Sequence, residues 1–235
     1  NSITLPVDNG IKVYTIKPCV RLESGTARTV CADSSSKLKE KRVSNMNKPF
    51  NDEPVEVLVK KHLTRAGTVL DLRLKYIGDA GLKYLAECEE LVGLQELNLE
   101  RNEITDAGIK ALADSKVITG LKVLHLERND IGDEGAKSIA KSPVFSHLSI
   151  LNLWKNKIGS EGAKELAQSI NLVSLDSLDL AQNQMGDDGA KALAESQTLT
   201  GLKYLEVFGN SLTEEGKKLL KESENFSNLQ TLVLE

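Results

Sequence analysis

Between residues 67 and 235 the chain switches repeatedly between two hydrophobic periods. In stretches such as Leu97, Asn98, Leu99 apolar and polar residues alternate singly, which on an extended backbone sends the leucines to one face and the intervening residue to the other. A short strand is predicted there. In the stretch that follows, such as "DAGIKALADS" over 106–115, apolar residues return at helical spacing, with Leu112 and its equivalents Leu85, Ile139, Leu166, Leu193 and Leu220 turned to the core. The switch has a fixed period. Leu70, Leu97, Leu124, Leu151, Leu178, Leu205 and Leu232 are each 27 residues from the next, and Gly81, Gly108, Gly135, Gly162, Gly189 and Gly216 keep the same interval. So do Asn102, Asn129, Asn156, Asn183 and Asn210. Such a period belongs to a solenoid, in which each unit buries its apolar face only against its neighbours.

Several columns have structural readings. A buried amide in the Asn column would satisfy unpaired backbone groups of adjacent repeats. Glycine at the helix entrance permits close backbone approach, and Ser115, Ser142, Ser169, Ser196 and Ser223 mark the helix exits, with Cys88 in the same column. Acidic residues at the helix starts, among them Asp106, Asp133 and Asp187, are expected to cap their own helices.

Before the array the pattern changes. Residues 52–66 read as an N-terminal helical cap, with Pro54 near the helix start, and the polar run over 33–51 reads as a linker. Residues 1–32 show strand-like alternation in "GIKVYTIK" and "CVRLES" and are expected to form a small β appendage, in which Cys19 and Cys31 could form a local bridge. From 67 to 235 the count is six full repeats and the strand of a seventh, and the stop inside a strand suggests a longer natural chain.

The segments L-x-x-L-x-L-x-x-N-x-I followed by a helix resemble leucine-rich repeats. Strand-then-helix units containing "IGDEGAKSIA" are similar to the ribonuclease-inhibitor-like subclass, and the 27-residue length with Asn in the turn column resembles bacterial members. The resemblance implies an α/β horseshoe with a parallel sheet on the concave face and helices on the convex face. It also implies inhibitors, sensors and bacterial effector modules as the range of roles.

Every second strand residue must then point onto the concave sheet, free of the constraint that fixes the leucines. These positions carry Trp154, Tyr204 and Phe208, three of only nine aromatic residues in the chain counting its single Trp. Large aromatics there are typical interface anchors. Acidic residues recur on adjacent strands, Glu100 beside Glu127 and Asp179 beside Glu206, and await a basic partner or local balance by Arg101, Arg128 and Lys155. With His125, the expected partner-binding set is Glu100, His125, Glu127, Arg128, Trp154, Lys155, Asp179, Tyr204, Glu206 and Phe208.

Charge narrows the partner. Net charge is -4, made of +3 over residues 1–60 and -7 over the rest, with no dense basic stripe for nucleic acid. No apolar run approaches the roughly 18 residues that cross a bilayer. Three cysteines mildly favour a reducing compartment, and the expected location is soluble, either intracellular or secreted as an effector. Scattered histidines, glycines in separate repeats and serines without a nucleophile elbow leave no expected metal, cofactor or catalytic machinery. The leading expectation is a non-catalytic module binding a protein or peptide on its concave sheet. The alternatives are a scaffold or sensor segment of a longer protein and, behind it, a carbohydrate-active enzyme using the paired carboxylates.

Overall fold

The computed structural model describes residues 3–7, 10–14 and 53–234. Most of the expected β appendage, the linker over 33–51 and the Cys19–Cys31 question lie outside them. Strands β1 (Ile3–Val7) and β2 (Gly10–Tyr14) pair antiparallel. The second falls within the expected "GIKVYTIK" strand, whereas its partner was not singled out by alternation. This hairpin belongs to a different unit of the chain, residues 1–48, from the array in residues 49–235.

The second unit begins with α1 (Val55–His62), which buries Leu58 and Val59. After it the chain turns into β3 (Leu63–Thr64), antiparallel to β4 (Val69–Asp71) at one edge of the sheet. Single-residue alternation is too short there to have announced β3. Six further strands follow in parallel: β5 (Glu96–Asn98), β6 (Val123–His125), β7 (Ile150–Asn152), β8 (Ser177–Asp179), β9 (Tyr204–Glu206) and β10 (Thr231–Val233). Between them run α2 (Gly78–Glu87), α3 (Asp106–Ala113), α4 (Asp133–Lys141), α5 (Ser160–Ala167), α6 (Gly186–Ala194) and α7 (Glu214–Lys221). Each strand pairs with the next at a sequence offset of 27, as in Leu97↔Leu124↔Leu151. Strands stack about 4.8 Å apart while packed helices need about 8–10 Å, so the pile curves with the sheet inside. Helices therefore form the convex side.

Leu97, Leu99, Ile104, Ile109 and Leu112 lie between the layers with no exposed surface, and their equivalents are buried except toward the ends of the array, where Ile77, Leu212, Leu232 and Leu234 are partly exposed. Each such side chain contributes roughly 1.5–3 kcal/mol by leaving water. Polar columns hold neighbouring coils in register. The Asn156 amide donates to the Leu126 carbonyl of the preceding repeat at 2.9 Å and to the Leu153 carbonyl of its own at 3.0 Å, while its oxygen accepts from the Ile131 amide at 3.1 Å. Asn102, Asn129, Asn183 and Asn210 make equivalent bonds, so the Asn column is a spine. A second spine runs through the serines: Ser169 donates to the Ala140 carbonyl at 2.6 Å, and Ser115, Ser142, Ser196 and Ser223 follow suit.

The acidic residues at the helix starts do more than cap. Asp79 accepts from the Thr105 amide at 2.8 Å, Asp106 from the Gly132 amide at 2.6 Å, Asp133 from the Gly159 amide at 2.6 Å and Asp187 from the Thr213 amide at 2.9 Å. Each clasps the helix entrance of the next repeat. This adds a bond between repeats to their place in the first turn of their own helices, and a Cβ on Gly108, Gly135 or Gly162 would come within 2.5 Å of that carboxylate.

Candidate binding face

The parallel register lines outward residues into rows that cross the sheet. Glu96, Val123, Ile150, Ser177 and Tyr204 form the first row. Asn98, His125, Asn152, Asp179 and Glu206 form the second. Just past the strand ends, the third row holds Arg73, Glu100, Glu127, Trp154, Ala181 and Phe208, where ladder bonds continue from the Arg128 amide to the Trp154 carbonyl at 2.9 Å and from the Lys155 amide to the Ala181 carbonyl at 2.8 Å. All ten residues of the expected set lie in or beside these rows.

Within these three rows the exposed large apolar side chains lie from β7 to β9, although Ile170, Val92 and Val173 are more exposed elsewhere on the array. Ile150 is 37% exposed and Phe208 40%, with Trp154 and Tyr204 half-buried in the same rows. Ile150 was missing from the expected set although its outward position was readable, because a β-branched residue in a strand is unremarkable until its exposure is known. Ala181 behaves differently from its row: it is outward by position yet fully buried, so neighbouring side chains close over it. Its column gave no sign of that.

The charged members are held individually. His125 Nδ1 lies 3.0 Å from Glu127 Oε1, and this contact raises the imidazole above its ordinary value despite partial burial. The other Glu127 oxygen is buried without a partner among the described residues. The Asp179 carboxylate accepts the Ala181 amide at 2.9 Å, but burial, with added repulsion from Glu206 and Glu127, pushes it up to about 6. Tyr204 donates its hydroxyl to Glu206, which pushes the phenol up to about 12. The Arg128 guanidinium lies over the Trp154 ring, 4.5 Å from its centroid, a contact worth roughly 0.5–1 kcal/mol where exposed. Arg128 and Lys155 both occupy left-handed backbone, at φ 55° and 56°, on the turn that ends each strand. The sequence-level alternative that Arg101, Arg128 and Lys155 balance the acidic pairs is not what the structure contains: among the described residues none of them forms an ion pair with Glu100, Glu127, Asp179 or Glu206.

Comparison with known proteins agrees with the geometry. A family model described as leucine rich repeat matches residues 94–113, 119–140, 146–167 and 171–194, each span taking in one strand-and-helix unit. The array is a leucine-rich repeat solenoid. No curated protein matches its sequence. Among solved structures, the leucine-rich repeats resemble an internalin, InlF, from Listeria monocytogenes at 23% identity and a TM-score of 0.47, covering 64% of this chain and 36% of that one. Internalin C2 from the same organism matches at 24% identity and a TM-score of 0.47, covering 65% of this chain and 55% of that one. The chain thus spans between a third and just over half of the structures it resembles.

Among the described residues no group of three His, Cys, Asp or Glu side chains is placed to hold a metal ion, and no helix is long and apolar enough to cross a membrane. The Cys88 thiol is free and buried, in the Ser column at the C-terminal end of α2.

Proposed function

We propose that this leucine-rich repeat array is a soluble, non-catalytic recognition module that binds a protein or peptide across the concave face of its sheet. One observation carries the reading. Ile150, Trp154 and Phe208 keep apolar surface exposed at positions where the repeat demands none, while the leucines of β7 and β9 are fully covered. Apolar side chains clustered this way lose water only when something binds, and aromatic anchors often contribute about 2 kcal/mol or more each. The flanking His125, Glu127, Arg128, Asp179 and Glu206 would set orientation more than strength. A full α-helix after nearly every strand supports placement in the ribonuclease-inhibitor-like subclass. Residues 67–235 act as the binding array in this reading and residues 52–66 as its cap.

The test is affinity capture from the native source with wild type beside the double variant Trp154→Ala/Phe208→Ala, each verified as folded by circular dichroism. A partner retained by wild type and lost by the variant is expected. Equal retention by a folded variant would reject the concave face as the binding surface.

A further inference from the structure

The concave rows carry unequal charge. From β4 to β9 their outward carboxylates are Asp71, Glu96, Glu100, Glu127, Asp179 and Glu206, against the single guanidinium of Arg73. Arg73 is already bound to Asp71 at 2.8 Å, Arg65 lies 3.6 Å from Glu96, and Glu127 faces His125. No lysine or arginine among the described residues pairs with Glu100, Asp179 or Glu206. Beside the aromatic strip, Arg128 lies over the Trp154 ring, and the exposed Lys155 stands on the turn that follows Trp154.

Two strips lie side by side. Asp179 and Glu206 are directly opposed on adjacent strands, so their backbones are about 5 Å apart and their charges repel. Next to them in the third row run Trp154, Ala181 and Phe208, tied across the sheet by the Lys155 amide to the Ala181 carbonyl at 2.8 Å and the Gln182 amide to the Phe208 carbonyl at 2.7 Å. An apolar strip bordering an acidic one matches a side chain with an aliphatic stem and a cationic head. An acidic or neutral segment seated here would leave both carboxylates, already hydrogen-bonded by the Ala181 amide and the Tyr204 hydroxyl, without a counter-charge.

Resting on the concave-face reading, we infer that the bound partner segment is basic: it presents a lysine or arginine whose stem lies along Trp154 and Phe208 and whose cation sits between Asp179 and Glu206. Burial, with a smaller contribution from the Glu206 charge, displaces the Asp179 carboxyl upward. His125 and Glu127 on β6 and Tyr204 on β9 also face this point. Glu127 adds attraction, and His125 opposes it when protonated.

The probe is a phage-displayed random-peptide library selected on the full chain at neutral pH and low salt. Selected peptides are then measured against wild type, Trp154→Ala/Phe208→Ala and Asp179→Asn/Glu206→Gln. The amide replacements keep the acceptors used by the Ala181 amide and the Tyr204 hydroxyl, so the face stays folded, which circular dichroism checks. Enrichment in Lys and Arg is expected, with binding lost in the aromatic variant, weakened roughly tenfold or more in the amide variant and weakened by salt. Peptides that need Trp154 and Phe208 but show no basic enrichment and bind the amide variant equally would overturn the inference and leave the concave-face reading standing. Peptides indifferent to the aromatic variant, or a selection that yields no binder, would count against both.

Discussion

Asp179 shares a strand column whose members meet one local need in two ways. Asp71, Asn98, Asn152 and Asp179 each accept the amide two residues ahead, at 3.1, 3.1, 2.9 and 2.9 Å, bracing the turn out of the strand. His125 and Glu206 instead engage Glu127 and Tyr204. Asp179 differs from Asp71 in having no guanidinium beside it, and its carboxyl moves from 3.8 to about 6. Because the folded state then holds the proton more tightly than the unfolded chain, the stabilisation from this group is complete below pH 3.8 and is lost as pH rises through about 6. Carbon-detected NMR should find the Asp179 carboxyl titrating near 6, and the thermal midpoint of wild type should fall relative to that of Asp179→Asn as pH rises across that window. A midpoint near the ordinary aspartate value would show that the burial argument fails. At this scale the sequence disclosed which side chains point outward, since period two decides that alone. It did not disclose the covering of Ala181 or the stacking of Arg128 on Trp154, because both depend on which residue the adjacent repeat happens to carry.

Between elements, register is kept by side chains reaching across one coil. Asn156→Ala would leave the buried Ile131 amide without its acceptor and take one of two donors from each of the Leu126 and Leu153 carbonyls, which Asn129 and Asn183 still serve, so urea unfolding should register a loss of roughly 1–3 kcal/mol. A loss below about 1 kcal/mol would mean that the Asn spine is ornamental. The Asp clasp predicts a coupled effect. Gly135→Ala places a Cβ 2.5 Å from Asp106 Oδ1 and 2.6 Å from Ile131 Cγ2, and should cost roughly 1–3 kcal/mol. In an Asp106→Ala background the same change should cost less, because one of the two obstructions is gone; strictly additive losses would refute the clasp. The Asn column was legible as a spine because its spacing matched the leucines and a buried amide has few other uses. The Asp column was read only in part, since helix-dipole reasoning looks along one helix, and the Thr105 and Gly132 amides that these carboxylates bind are 26 residues away in sequence.

For the whole molecule, the mismatch between strand and helix spacing bends the stack and leaves its inner wall free of any packing duty. The repeat period made the fold readable from end to end over residues 67–235, and it also made the inner wall readable by subtraction, as whatever the period left unassigned. The partner stayed out of reach, because recognition chemistry is written in side chains that vary from strand to strand. If Ile150, Trp154 and Phe208 form the docking face, a photo-reactive benzoylphenylalanine at Ser177, on β8 between Ile150 and Tyr204, must touch the partner, while the same group at Lys191 on the convex helix α6 must not. Irradiation of each labelled protein with the captured partner should give a covalent adduct only from position 177. An adduct from position 191, with none from 177, would place binding on the helices and contradict the account.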